Sequence, residues 1–392
     1  MGEKNMKKLL FISLGTFIAL SFSLPTLAIG ADSYKVGALF SVTGRASFVG
    51  DPEKKTVIMI VDQINKAGGI NGKKLDVIIY DTEGDATKAR LFFRKLVTQD
   101  KVCAVIGPSL SGNSLAIVDE AKRLKTPLVS CAASYKIVYD EKTKKTRKWV
   151  FKTPQTDTMG VEANYSHLKK RGINKVAVIT ITSGFGKSGR HELLRLAPKY
   201  GMEIVADETY GLKDQDLTAQ LTKIKATGAK AICNWGIGPS SVVLMRNWQD
   251  LGMTSIPLYR SHAFGNRKNI KLAAGAAEGV HCPLGPCNIA TLLPESTQKD
   301  VCMKFVNDYK AKYNEPIATF SGHAWDALQL VVKALKVAGC DKEGIRNELE
   351  NTRNFVGQHG TFNMSADDHI GLNWKESFTL IKVKGDDWVL AN

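Results

Sequence analysis

Residues able to do chemistry in this chain gather in short loops that run from a strand-like stretch into a helix-like one. In "IGPSLSGNSLA" (106–116), Gly107 and Gly112 are spaced as in a phosphate-cradling loop, but Asn113 stands where that loop needs its lysine. "ITSGFGKS" (181–188) supplies the Gly-Lys-Ser and puts Ile181 where the first glycine must turn the chain. Ser109 and Ser111 follow Gly107 without the closing glycine of a nucleophile elbow. "HELLR" (191–195) carries Arg195 at the position of the second zinc-binding histidine. The 7 histidines are dispersed, so no catalytic constellation assembles, and neither enzyme, metal nor cofactor is expected.

The loop keeps a simpler capacity. A strand entering Gly-Pro-Ser-Leu-Ser-Gly and then a helix leaves unpaired N–H groups at the helix start, beside the hydroxyls of Ser111 and Ser114. That arrangement receives an anion, and a carboxylate suits it as well as a phosphate. Alone, Ser111 reads as an N-cap. The next strand, "VSCAAS" (129–134), ends at the same carboxyl edge and brings Ser134 and the carbonyl of Ala132 close by, where ligands of open α/β sheets bind.

The elements that must hold these loops alternate. "YKVGALF", "KLDVIIYD" and "VCAVIGP" lead into helices near 53–67, 86–100 and 112–124, and "TPLVSCAAS" follows. After "WVFKTP" the pattern restarts, with helices near 160–171, 186–200, 217–227 and 240–251 between strand-like runs. The expectation is α/β: two doubly wound parallel-sheet lobes. Helices near 295–313, 319–338 and 342–352 and a strand-rich tail are too little sheet for a third domain and return to complete the lobes, so the chain crosses between them several times.

The chain has 392 residues, and its composition, 44% hydrophobic and 23% charged, fits a globular protein of two domains. Residues 1–28 read as a signal peptide: a basic "KNMKK", a 16-residue apolar run (9–24) too short to span a membrane, and small residues where cleavage near Ala28 to Ala31 is expected. The expected compartment is the periplasm. Of the net charge of +16, this leader carries +2. The remaining lysines are scattered, with the densest run, "DEKTKKTRK" (140–148), in an expected loop, so no nucleic-acid partner is foreseen. Cys103 and Cys233 lie in apolar runs and read as buried thiols. Cys282, Cys287 and Cys302 lie close in sequence and can supply one disulfide in an oxidising compartment. Zinc beside His281 lacks a second ligand pair.

"KVGALFSVTGRASFVGD", "INKAGGINGKKLDVIIYD", "AVIGPSLSGNSLA", "PLVSCAAS", "YRSHAFGN", "AEGV" and "HAWDAL" occur in the order and spacing of the leucine/isoleucine/valine-binding proteins. These are type I periplasmic solute-binding proteins of branched-chain amino acid ABC transporters, and the resemblance runs from Tyr34 to the end. It implies a periplasmic binding protein type I fold, its two lobes joined by a three-crossover hinge, 33–152 plus 283–354 and 153–282 plus 355–392. It also implies a monomer that closes on a small molecule and presents it to a membrane permease. Ser111 resembles the hydroxyl that holds the ligand carboxylate, Ser134 a position usually threonine, and Ala132 the carbonyl facing an ammonium. Phe185 takes the place of a covering aromatic. Leu110, Val49, Phe320 and either Trp235 or Ile237 line the rest.

One position departs from that pattern. Amino-acid-binding members carry an acidic residue after the "PLY" strand to pair with the ammonium, whereas His262 stands there in this chain. A buried ammonium without an anion costs several kcal/mol, against about 8 kcal/mol for a micromolar complex. The expected ligand is therefore a carboxylate without an amine, aromatic or keto, unless Asp207, Glu208, Asp214 or Asp216 replaces the missing acid. The alternatives are a sensory binding protein with the same pocket chemistry, or a hydrolase of small esters using Ser111 with His262.

Overall fold

The computed structural model describes residues 33–391; the expected leader lies outside the described residues. Five strands, β1 (Tyr34–Phe40), β2 (Leu75–Asp81), β3 (Ala104–Ile106), β4 (Leu128–Ser130) and β5 (Val150–Lys152), form a wholly parallel sheet in the order β2-β1-β3-β4-β5. Val36 to Phe40 are buried without interruption, as a strand covered on both faces requires. The helix Thr319–Ala338 covers one face with Ala324, Leu328, Val331 and Leu335, a spacing that puts all four on one stripe against Val36, Ala38 and Ile106.

Seven strands make the second sheet: β6 (Lys175–Ile181), β7 (Glu203–Tyr210), β8 (Ala231–Trp235), β9 (Leu258–Arg260), β10 (His281–Leu284), β11 (Thr379–Lys384) and β12 (Asp387–Leu390). Their order is β12-β11-β10-β9-β8-β6-β7. The five from β6 to β10 run parallel, and the tail adds β11 and β12 as an antiparallel edge. Two doubly wound lobes are thus present, with the tail completing the second.

The chain crosses between the lobes three times: after β5, at Gly285 after β10, and between Leu372 and Thr379. Gln155, on the first crossing, ties the others, donating to the carbonyls of His359 (3.3 Å) and Ser377 (2.7 Å). Phe362, Met364 and Leu372 still pack in the core of the first lobe, so the last return lies some twenty residues beyond the expected 354/355. The apolar residues of this stretch have the long helix Thr319–Ala338 beneath them, which holds the segment to the first lobe.

The cysteine expectation is corrected. Cys103 and Cys340 form a disulfide, their Cα atoms 5.0 Å apart, joining the start of β3 to the end of the helix packed on that sheet. Cys131, Cys233, Cys282, Cys287 and Cys302 are free and buried. Cys282 faces the second lobe's core, while Cys287 and Cys302 sit in a separate apolar cluster with Met59 and Phe305. The basic run at 140–148 forms the tip of a small hairpin, Tyr139–Asp140 with Lys145–Thr146.

Candidate functional site

A cavity of about 250 Å³ lies between the carboxyl edges of the two sheets. Seven of the ten residues expected at the site line it: Leu110, Ser111, Ala132, Phe185, Ile237, His262 and Phe320. Val49, Ser134 and Trp235 do not line it, and each has a different neighbourly role.

On the first lobe, the loop after β3 leads into the short helix Ser111–Leu115. Its N-cap is Leu110, so Ser111 is not the capping residue. The Ser111 hydroxyl accepts from the Ser134 backbone N–H (3.3 Å), leaving its own proton without a partner among the described residues. The Ala132 amide is held by Ser130 Oγ (3.2 Å), and no described group donates to the Ala132 carbonyl. Ser109 is fully engaged: its hydroxyl donates to Glu53 and accepts from the Ser41 amide (3.0 Å). Burial pushes the Glu53 carboxyl well above its ordinary range, although the Ser109 bond works the other way, and Glu53 supports the loop from behind the wall.

Ser134 joins the lobes. Its hydroxyl accepts from Ser188 (2.8 Å) on the helix Gly184–Tyr200 of the second lobe. That helix begins at the cavity with Ser183, Gly184 and Phe185, and Ser183 caps it by accepting from the Gly186 amide. The approach is close: a methyl on Gly184 would stand 3.0 Å from the Gly112 amide nitrogen, so glycine at both points lets the two helix starts meet.

Trp235 ends β8 behind the second wall. It is fully buried, donates from its indole N–H to Asp157 Oδ1 (2.9 Å), and fits only because Gly189 leaves room, a methyl there falling 1.9 Å from the ring. From there it backs Phe185 (centroids 6.0 Å) and His262 (5.7 Å, edge-on). Val49 is turned into the core of the same wall, while its neighbour Phe48 lines the cavity and meets Phe320 edge-on at 6.3 Å. Both belong to the helix Ser47–Lys66, where adjacent residues point about 100° apart. The sequence reading chose the wrong side of that turn.

Among the described residues no carboxylate lines the cavity, and Arg45 is the one ionic side chain in its lining. The acids considered as ammonium partners are engaged elsewhere: Asp207 with Arg190, Glu208 with Lys223 (3.4 Å), Asp214 with the Gly211 amide (2.8 Å) and Asp216 with the Thr218 amide (2.9 Å).

His262 and His323 line the cavity together. Both are buried, and none of their ring nitrogens has a hydrogen-bond partner among the described residues. Burial, reinforced by the charge of Lys152 and by His359, pushes His262 down to about 3; His323 is also driven well below its ordinary value by burial, then by His359, His262 and Lys152. Both rings are therefore neutral near pH 7. His323 was missed from sequence although "HAWDAL" contains it, because nothing in that string marks which face of a helix meets the cleft. Ser111 and His262 are not bonded, so the base a hydrolase would need is absent from Ser111.

Behind the cavity, Asp326 accepts from His359 Nδ1 (3.0 Å), the His359 amide (3.2 Å) and the Gln358 amide (2.5 Å). Cys287 Sγ lies 3.9 Å from His359 Nε2, but burial raises its thiol far above the range of a nucleophile, and none of the three lines the cavity. His281 stacks on Tyr259 (4.7 Å), and no three His, Cys, Asp or Glu side chains come together as a metal site among the described residues.

The chain matches a family model described as periplasmic binding protein over residues 33–385. It is 25% identical over 365 residues to the leucine-, isoleucine-, valine-, threonine- and alanine-binding protein of Pseudomonas aeruginosa, covering 91% of this chain and 94% of that one. An extracellular ligand-binding receptor from Rhodopseudomonas palustris superposes with a TM-score of 0.84 at 29% identity, over 92% of this chain and 99% of the receptor. The branched-chain amino acid transporter substrate-binding protein LivJ of Streptococcus pneumoniae, solved with isoleucine, superposes with 0.78 at 28% identity, over 91% and 97%. Two doubly wound lobes around a cavity, and a match over nearly the whole described chain, place it plainly: this chain belongs to the family of periplasmic binding proteins, which bind solutes and are not enzymes.

Proposed function

We propose that the chain is the exported substrate-binding component of an ABC importer, a monomer that captures a small carboxylate lacking an amine and hands it to a membrane permease. The observation carrying this reading is the cavity lining: an unpaired Ser111 proton at the start of a helix, and no carboxylate anywhere around the space. An α-ammonium enclosed there would lose its water without gaining an anion, at a cost of several kcal/mol. An acid without the amine avoids that cost. Ser111 binds the carboxylate, and Phe48, Leu110, Phe185, Ile237 and Phe320 enclose an apolar body of aromatic or short keto-acid size.

Closure supplies selectivity. The lobes, taken as 33–152 with 286–372 and as 153–284 with the tail from Thr379, are bridged by Ser188 and Ser134, a bond that exists only when they meet. A ligand touching both walls shifts the hinge toward that closed state. Residues 1–28 would be removed on export. Titration calorimetry with benzoate, 2-oxo acids, leucine and valine tests the reading. Binding of the amine-free acids is expected; micromolar leucine or valine with no heat from the acids overturns it.

A further inference from the structure

The carboxylate accounts for one pole of the cavity and leaves His262 and His323 without partners. Buried polar groups left unpaired are costly, and over nine in ten are satisfied in folded proteins. Here the two rings share one cavity and none of their nitrogens has a partner among the described residues. Their ring neighbours are Phe185 (5.9 Å), Trp235 (5.7 Å) and Phe378 (5.5 Å) around His262, and His359 (4.2 Å) and Phe320 (5.9 Å) beside His323. The Nδ1 of His262 is turned toward Gly160, which has no side chain to offer. A ligand in the cavity can supply the hydrogen bonds that the described side chains do not.

We propose that His262 and His323 form a second polar pole that reads a hydroxyl of the ligand, so that the ligand class is a hydroxy-substituted acid, foremost a hydroxyaryl carboxylate. A neutral imidazole carries one N–H and one bare nitrogen. A hydroxyl accepts from one ring and donates to the other. An ammonium supplies only donors, and a second carboxylate only accepts. The carboxylate would also bring a charge to neutral rings, since Lys152, whose charge is felt at both, does not line the cavity and donates its amine to the Pro154 carbonyl (2.5 Å). The apolar residues of the lining suit a ring. The inference rests on the acid reading above and adds the group that the two imidazoles select.

Calorimetry with the purified protein, benzoate, its three monohydroxy isomers, terephthalate and leucine separates the two claims. At least one hydroxybenzoate should bind tenfold or more tightly than benzoate, and that ratio should fall to about one in His323→Leu and in His262→Leu. Benzoate binding as tightly as every hydroxy isomer overturns the inference and leaves the acid reading standing. Terephthalate binding more tightly than all the monoacids also overturns it, since the pole then takes a charge. Leucine bound and no acid bound removes both. Circular dichroism checks the variants; His323→Gln, which restores a donor and an acceptor, should keep part of the preference if a leucine variant fails to fold.

Discussion

His323 and His359 lie with their ring centroids 4.2 Å apart, yet they belong to two differently built regions. On the hinge side, His359 is bonded to Asp326 through both its ring and its amide and has Thr319 Oγ1 at 3.2 Å. On the cavity side, the ring nitrogens of His323 and His262 have no hydrogen-bond partner among the described residues. The helix Thr319–Ala338 contributes to both regions, Asp326 to the first and His323 to the second. The difference separates polar groups that hold the crossings together from polar groups kept for something that comes and goes. Removing a partner should be expensive in the first region and cheap in the second.

The largest effect is expected at Asp326. Asp326→Ala takes the acceptor from two backbone amides and one ring nitrogen at a fully buried position. Breaking a buried pair of this kind costs about 3–5 kcal/mol, to be read from the shift of the denaturant midpoint. A loss below about 1 kcal/mol would mean that the hinge side is no better satisfied than the cavity side, and the contrast would vanish.

Ser111→Ala comes next and acts on affinity. A hydrogen bond to a charged group contributes about 1.5–3 kcal/mol, so the acid ligand should bind roughly 10- to 100-fold more weakly, while the Ser134 amide, stranded by the change, lowers the stability of the ligand-free protein by about 1–3 kcal/mol. A loss of stability with affinity unchanged would place Ser111 with the structural hydroxyls such as Ser109.

The hinge side and the lobes were legible in sequence for a reason that the cavity side was not. The alternation of β-branched runs with amphipathic ones fixes which segments form sheet, and the helix Thr319–Ala338 runs over the residues expected for it because its apolar stripe is long and regular. The helix expected at 112–124 splits into Ser111–Leu115 and Val118–Arg123, since Ser-Gly-Asn-Ser has little helical preference to carry it through. The disulfide joins residues 237 apart, a distance over which spacing carries no information. Ser111 could be placed because strand ends define the sheet edge, and Phe185 and His262 through the resemblance to the leucine/isoleucine/valine-binding proteins, whereas Phe48 in place of Val49, and His323, depend on helix phase relative to a wall that only tertiary packing creates. His262 was legible as a departure from an acid; that its ring would be neutral and unpartnered was not, because burial decides that.

Acid sharpens the contrast with a smaller effect. His262 is pushed down to about 3 and His281 to about 4, both by burial first, so the unfolded chain binds protons at these sites that the folded one refuses. Stability from each is complete above about pH 6.5 and is lost as pH falls toward those values, at up to about 1.4 kcal/mol per pH unit per ring. His262→Leu should flatten the decline between pH 6 and pH 4 by one ring's share. An unchanged slope would mean that the cavity hydrates His262 enough to protonate it normally.

The smallest effect is the most discriminating. Replacing a bonded buried group strands its partner, but the His323 ring has no hydrogen-bonded partner among the described residues to strand. His323→Leu fills similar space with an apolar group against Phe320, so the ligand-free protein should keep its stability to within about 1 kcal/mol. A destabilisation of about 2 kcal/mol or more would show that the ring is satisfied in the empty protein, by water held in the cavity. The two neighbouring imidazoles would then differ only in what satisfies them, and the cavity side would lose its distinction as the region left open for a ligand.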